Sequence, residues 1–275
     1  MAVNATALEE SYSPRTGQRH LYAVPSPANR QPQAGLAEGK AIAHLAHELR
    51  TPLSTLHTTL ELLEDFSSMD AEEVQHLLGT LRRSVTWMTG LVDNLSTSEA
   101  LEDGRLRLKQ TFAPVLDCIE SAVALVQPLL ARRDQHVRVV CADPAPLVFV
   151  DTLRIGQVIV NLLNNASTYG AWGEDIEVTV SVAHGEVRVT VTDSGPGIPE
   201  EEQQGVFGRG VRGARGSECR AGGQGLGLHI VKAIVELHGG SVGVSSVVGQ
   251  GASFWFRLPS QSNVHADSAV VRVIQ

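Results

Sequence analysis

The run His47-Glu48-Leu49-Arg50-Thr51-Pro52-Leu53 holds the chain's strongest candidate for covalent chemistry. Imidazole titrates close to neutrality, so His47 can act as nucleophile, base or ligand. Leu49 belongs to the series Ile42, Leu49, Leu56, Leu63, which repeats every seven residues and defines a helical seam. His47 therefore falls on the opposite, solvent-facing side, with Thr51 one turn further along the same face and His44 three residues before it. Pro52 removes a backbone donor inside this helix, a change that costs about 3 kcal/mol in an ordinary helix interior. A solitary surface histidine needs no explanation. A histidine beside a tolerated helix-breaking proline does.

Three further groups of residues suit a phosphorylated ligand. Asn161 and Asn165 stand at i, i+4 and project from one helical face, while Asn164 lies about 100° away. Asp193-Ser194-Gly195-Pro196-Gly197-Ile198 places a carboxylate at a strand end beside glycines that allow close backbone approach. Gly222-Gly223-Gln224-Gly225-Leu226-Gly227-Leu228 opens a helix, where free N–H groups and the positive dipole end favour anions. Between these runs, glycines alternate with Arg209, Arg212, Arg215 and Arg220, a mixture of hinges and phosphate-pairing cations. Each pattern alone is a weak signal, since Asp-x-Gly-x-Gly is a commonplace turn.

The elements that must position these residues follow from periodicity. Residues 1–38 are rich in Ala, Ser, Pro, Gln and Asn, and read as a disordered leader or linker. Residues 39–102 read as a helical hairpin. Leu45, Ala46, Leu53 and Leu60 widen the first seam, and Val74, Leu78, Leu81, Val85, Met88, Val92 and Leu95 form the second. Asp70 is the expected N-cap of the second helix, with Glu73 closing a capping box. One hairpin leaves much of its apolar stripe uncovered, so a dimeric four-helix bundle is expected. Residues 103–259 alternate between strand and helix patterns: strands near 106–112, 137–141, 147–150, 176–182, 186–192, 241–246 and 252–258, and helices near 115–131, 152–166 and 226–238. Residues 260–275 read as a tail. The fold class is α+β, a dimeric four-helix-bundle hairpin followed by an α/β sandwich with helices on one face of a mixed sheet.

Composition narrows the function classes. The chain has 275 residues and a formal net charge of −8, which argues against general nucleic-acid or anionic-membrane binding. Its three cysteines are never spaced as CxxC, which excludes a disulfide framework or zinc site and fits a cytoplasmic protein. No apolar run approaches the ~18 residues of a membrane span, so no membrane insertion is expected.

Taken in order, these motifs resemble those of sensor histidine kinases over about residues 39–259. The His47 run is similar to the H-box, Asn161–Ala166 to the N-box, Asp193–Ile198 to the G1 box, Val206-Phe207 to the start of the F-box, and Gly222–Leu228 to the G2 box. The resemblance implies a Bergerat-type ATP-binding fold. It also implies that His47 accepts the phosphoryl group of ATP, with Glu48 as its acid/base, and passes it to an aspartate on a response regulator's receiver domain. Asn165, together with Asn161, would hold Mg²⁺. Tyr169, Asp193, Gly195, Gly197, Arg212, Arg220, Gly223, Gly225, Leu226 and Gly227 would bind the nucleotide. Thr51, three residues after Glu48, matches the position that orients a dephosphorylating water in families with phosphatase activity. A homodimer through 39–102 and a separate upstream sensor protein are the expected partners.

Several departures bear on activity. ATPases of this fold carry a glutamate where Asn161 stands, and an asparagine cannot take a proton from water. Thr168 occupies the place of a usual phosphate-contacting lysine, Gly210 stands near a usual second aromatic, and Gln224 replaces a usual Thr or Ser. Two other readings therefore stay open: a degenerate kinase serving as a dimeric scaffold or phosphatase, and an ATPase with a helical arm.

Overall fold

The structure, a computed structural model, describes residues 8–12, 19–23, 49–64, 69–142, 145–211, 225–260 and 269–274. The chain divides into a short unit, Met1–His47, and a large one, Glu48–Gln275.

In the short unit, β1 (Leu8–Tyr12) pairs antiparallel with β2 (Arg19–Ala23), with Glu9 opposite Tyr22 and Ser11 opposite His20. This corrects the expectation of a leader without structure over 1–38. A two-stranded ribbon is specified by turn residues and backbone pairing, here with Pro14 and Gly17 in the connection, and needs no apolar period to announce it.

The large unit begins with helix α1 (49–64), which contains Pro52. Helix α2 (Ala71–Glu102) starts at the expected capping box: Glu73 N–H donates to Asp70 Oδ1 at 2.8 Å and Asp70 N–H to Glu73 Oε2 at 3.1 Å. Leu53, Leu60, Leu78, Val85 and Val92 all stay exposed on the single chain. An exposed apolar stripe of this kind suits burial against a partner. No helix among the described residues is long and apolar enough to cross a membrane.

Beyond α2, the segment holding Leu106 and Leu108 is coil rather than strand, and β3 is Thr111–Pro114. It pairs antiparallel with β5 (Leu147–Val150) in a small ribbon. The main sheet runs β10-β4-β6-β7-β9-β8. Its strands are β4 (Val137–Ala142), β6 (Ile176–Ala183), β7 (Glu186–Asp193), β8 (Ser241–Ser246), β9 (Ala252–Pro259) and β10 (Ala269–Ile274). Only β4 and β6 are parallel, so the sheet is mixed. Helices α3 (Val115–Leu130), α4 (Thr152–Tyr169) and α6 (Gly227–Leu237) share one core with the inward side chains of this sheet. A four-residue helix, α5 (Glu200–Gln203), follows β7.

The tail expected over 260–275 contains β10, which covers the edge of β4 with Val270 opposite Cys141. An uncovered β4 would be a template for association, and the β-branched run Val270-Val271-Arg272-Val273-Ile274 suits the pairing. A six-residue strand of nearly continuous β-branched residues leaves little periodic signal.

Candidate functional site

The strand β7 alternates strictly, burying Val187, Val189 and Val191 towards the helices. The same alternation carries Asp193 inward, so a carboxylate takes the last core-facing position, with only 6% of its surface exposed. Gly195 N–H donates to Asp193 Oδ1 at 2.8 Å. Burial still prevails over that bond and the one from the Ala252 N–H, and holds the Asp193 carboxyl above the ordinary carboxylate range. A buried carboxylate at the open end of a strand is costly unless it serves a ligand.

The loop after Asp193 runs close to the end of α4. A Cβ on Gly195 would stand 2.5 Å from the Tyr169 carbonyl oxygen and 2.8 Å from Asp193 Oδ1. Gly197 has φ +72° and lies against the backbone of Val247. Ile198 N–H donates to Ser246 Oγ at 2.8 Å, and Gln203 Nε2 donates to both the Ile198 and Ser246 carbonyls at 2.9 Å. The loop is thereby pinned to β8.

Helices α4 and α6 run antiparallel and are braced at one end. Asp151 caps α4, accepting from Arg154 N–H at 3.1 Å and from Lys109 N–H at 2.8 Å. Its own N–H donates to Nε2 of the buried His238 at 3.0 Å, and His238 Nδ1 lies 2.8 Å from the Ile234 carbonyl. One ring nitrogen accepts and the other donates, so His238 is held neutral, and burial lowers its pKa. A depressed histidine pKa means protonation favours the unfolded chain. The stabilisation is complete above the unfolded value of 6.5 and is lost as pH falls below it. The expected result is a melting temperature that falls between pH 7 and pH 5.5, with a shallower slope for His238→Gln. Thermal melts of both proteins across that range check it.

The other end of the pair is the site. Gly227, the first residue of α6, packs on Asn161, with Oδ1 3.4 Å from where its Cβ would be. Asn161 is buried and Asn165 half-buried. The Asn165 side chain makes no hydrogen bond to another described residue. Tyr169 is 40% exposed at the end of the helix. Val206 and Phe207 are buried, with Phe207 edge-on to Phe254 at 6.2 Å. Gly225 (φ +64°) is clipped to the other side of the arginine-rich loop by Gly210 N–H, which donates to the Gly225 carbonyl at 3.2 Å.

The structure thus brings Asn161, Asn165, Tyr169, Asp193, Gly195, Gly197, Gly225, Leu226 and Gly227 to one end of the α4–α6 pair. Thr51 lies exposed on α1. His47, Glu48, Arg212, Arg220 and Gly223 lie outside the described residues. Where a phosphate-contacting lysine was expected, the Thr168 carbonyl accepts from Arg133 at 2.9 Å, and Gly170 accepts from the same guanidinium at 3.0 Å. Arg133 also stacks over Trp172, so this cation caps the helix end.

Sequence reasoning missed Asn94, Thr97, Arg154 and Gln157. Asn94 and Thr97, at i, i+3 on α2, bond to Arg154, Gln157 and Asn161 of α4. Their spacing marked a common face, but nothing in one sequence names the partner of a polar face.

Residues 37–104 match the family model of the His Kinase A (phospho-acceptor) domain, and residues 150–262 that of the histidine kinase-, DNA gyrase B-, and HSP90-like ATPase. The chain is 34% identical over 247 residues to the adaptive-response sensory kinase SasA of Thermosynechococcus vestitus, covering 85% of this chain and 64% of that protein. It spans a little less than two thirds of this relative's length. The histidine kinase ShkA, solved in complex with AMPPNP, superposes with a TM-score of 0.57 at 24% identity, covering 82% of this chain and 47% of that one. The histidine kinase ThkA, solved in complex with the response regulator protein TrrA, gives a TM-score of 0.54 at 22% identity, covering 92% and 74%. Both show the shared fold. With its phospho-acceptor hairpin, its mixed-sheet nucleotide fold and its relatives in agreement, the chain belongs to the sensor histidine kinases.

Proposed function

We propose that this chain is an ATP-dependent histidine protein kinase that phosphorylates itself on His47 and donates the phosphoryl group to an aspartate of a response regulator. The observation that carries this reading is Asn161 on α4, facing the start of α6, where a hydrolase of this fold would need a carboxylate base. Among the described residues, the two buried carboxylates of the domain are otherwise engaged: Asp151 caps α4, and Asp193 closes the strand end. A site that cannot activate water suits transfer to a protein nucleophile.

In this reading, Asp193 accepts from the exocyclic amine of adenine, and Gly195 and Gly197 let the backbone approach the base. Tyr169, Leu226 and the arginines Arg212 and Arg220 flank the nucleotide. The N–H groups at Gly223, Gly225 and Gly227 face its phosphates. Asn165 and Asn161 offer hard amide oxygens that fit Mg²⁺, which would neutralise phosphate charge. A ring nitrogen of His47 attacks the γ-phosphorus in line, forming an N–P bond as the bond to the β–γ bridging oxygen breaks and ADP leaves. Glu48 takes the imidazole proton. Thr51 is solvent-exposed, as a residue that orients water for phosphatase action must be.

The exposed leucine and valine stripe of α1 and α2 supports a homodimer, and a complex of the related fold with a response regulator supports that partner. The buried, reduced thiols Cys118 and Cys141 suit the cytoplasm.

Incubation with γ-labelled ATP and Mg²⁺ is expected to place acid-labile label on the full chain, and His47→Gln is expected to abolish it without changing nucleotide affinity. Label persisting in His47→Gln overturns the acceptor. Thr168 in place of a lysine favours a second reading, a nucleotide-binding scaffold without transfer. Nucleotide binding with no label on the unaltered chain would establish it.

A further inference from the structure

The turn between α3 and β4 reaches the end of α4 from behind. Ala131–Arg133 forms one 3₁₀ turn, closed by Asp134 in the left-handed region at φ +52°. Arg133 Nη1 donates to the Thr168 carbonyl at 2.9 Å and Nη2 to the Gly170 carbonyl at 3.0 Å. These two carbonyls flank Tyr169, so one planar fork fixes the backbone on both sides of that residue. Gln135, 1% exposed, donates through Nε2 to the Ala171 carbonyl at 2.9 Å and accepts from Ser167 Oγ at 2.7 Å. Gly173 N–H returns to the Arg133 carbonyl at 2.9 Å.

Capping of α4 accounts for the bond to Thr168, because the last carbonyls of a helix lack helical partners. It does not account for Gly170, Ala171 and Gly173, which lie beyond the end of the helix at Tyr169. Arg133 Nε is buried and has no hydrogen-bond partner among the described residues. An unpaired buried donor is costly, and the fold accepts it while both terminal nitrogens stay on carbonyls. The stretch so held is the wall of the proposed base pocket. Gly195 leaves no room for a Cβ beside the Tyr169 carbonyl, and Gly170 lies next to Asp193, where a Cβ would be in ordinary contact with Asp193 Cβ at 3.5 Å. Any displacement of Tyr169 and Gly170 is therefore passed to the carboxylate and to the Gly195 N–H bonded to it.

We propose that Arg133, backed by Gln135, is a positioning residue for the nucleotide base: it touches no part of the ligand, but sets where Asp193 meets the exocyclic amine and so sets selectivity for adenine. This rests on the nucleotide reading above. Hydrogen bonds weaken steeply with misalignment, so a small shift of the wall is felt most by the base contact.

Calorimetry on the full chain tests it with ADP and, by competition against ADP, with inosine diphosphate, whose base has a carbonyl in place of the amine. Arg133→Lys keeps the charge but cannot span two carbonyls. It is expected to lower affinity for ADP about five-fold and leave that for inosine diphosphate unchanged, with AMP and a non-hydrolysable ATP analogue losing the same factor as ADP. A fall in melting temperature with the ADP-to-inosine-diphosphate ratio unchanged reduces Arg133 to a helix cap and overturns the proposal. A loss that grows from AMP to ATP marks a phosphate contact and overturns it as well. A second measurement needs no variant. By linkage, saturating ADP is expected to slow hydrogen exchange of the Gly170 and Gly173 amides about five-fold or more in the unaltered chain, and exchange unaffected by ADP overturns the coupling. If the unaltered chain binds neither ADP nor the ATP analogue, the nucleotide reading falls, and the positioning role with it.

Discussion

Asp193→Asn is expected to lower affinity for ATP at least about 100-fold while leaving the melting temperature at pH 7 unchanged or raised. The substitution keeps the side-chain shape and one oxygen to accept from Gly195 N–H, so the loop has no packing reason to move. It removes a charged acceptor and presents a donor where an adenine amine would donate, which is the costlier change in a dry pocket. The stability side has the opposite sign. Burial raises the Asp193 pKa, so the protonated carboxyl is favoured in the folded chain. Its contribution is greatest at low pH and is lost as pH rises through the folded value, and at neutral pH the ionised group burdens the fold. The gap between variant and unaltered chain is therefore expected to move in the variant's favour from pH 4 to pH 7. Calorimetric titration with ATP and melts at both pH values measure the two effects. A variant that melts markedly lower at pH 7 would mark Asp193 as structural.

Gly195→Ala is expected to damage both properties. The new Cβ would meet the Tyr169 carbonyl oxygen at 2.5 Å and Asp193 Oδ1 at 2.8 Å, and neither can yield cheaply. The first is backbone at the end of α4. The second holds the loop through the Gly195 N–H. Relief must come from the loop, which breaks that bond and shifts Gly197 from its place against Val247. Overpacking of this kind costs about 1–3 kcal/mol, a fall of several degrees in melting temperature for a domain of this size. Nucleotide affinity is expected to fall at least about 100-fold, because the displaced loop is the wall of the site. Gly156→Ala is the control. It lies within α4 with nothing near its missing Cβ, and is expected to gain up to about 1 kcal/mol without affecting nucleotide binding. If Gly195→Ala behaves like this control, the close approach at Gly195 has no functional weight.

Where the sequence was readable, the reason was local. The capping box at Asp70–Glu73 and the alternation of β7 are each set by residues within a few positions of one another. The same holds for Asp193: an aspartate closing an alternating strand before Gly-x-Gly can only continue inward. Elements without local pattern were misread. β10 depends on an exposed edge of β4 more than a hundred residues earlier, and β1–β2 on pairing across a short connection. Leu106 and Leu108 have strand spacing but no neighbouring strand to bond.

By itself, then, the sequence determined the order of the hairpin and the nucleotide fold, the chemistry on offer at His47, Asn161, Asn165 and Asp193, and the absence of a hydrolytic base at Asn161. Periodicity, capping and the order of glycine runs are properties of short stretches of chain. Tertiary structure alone decided that α4 and α6 lie antiparallel with Gly227 on Asn161, that Arg133 is spent on a helix end, and that Asn94 holds the Asn161 amide. Each of these joins residues at least 35 positions apart, and hydrogen bonds between polar side chains leave no periodic trace from which such a partner could be read.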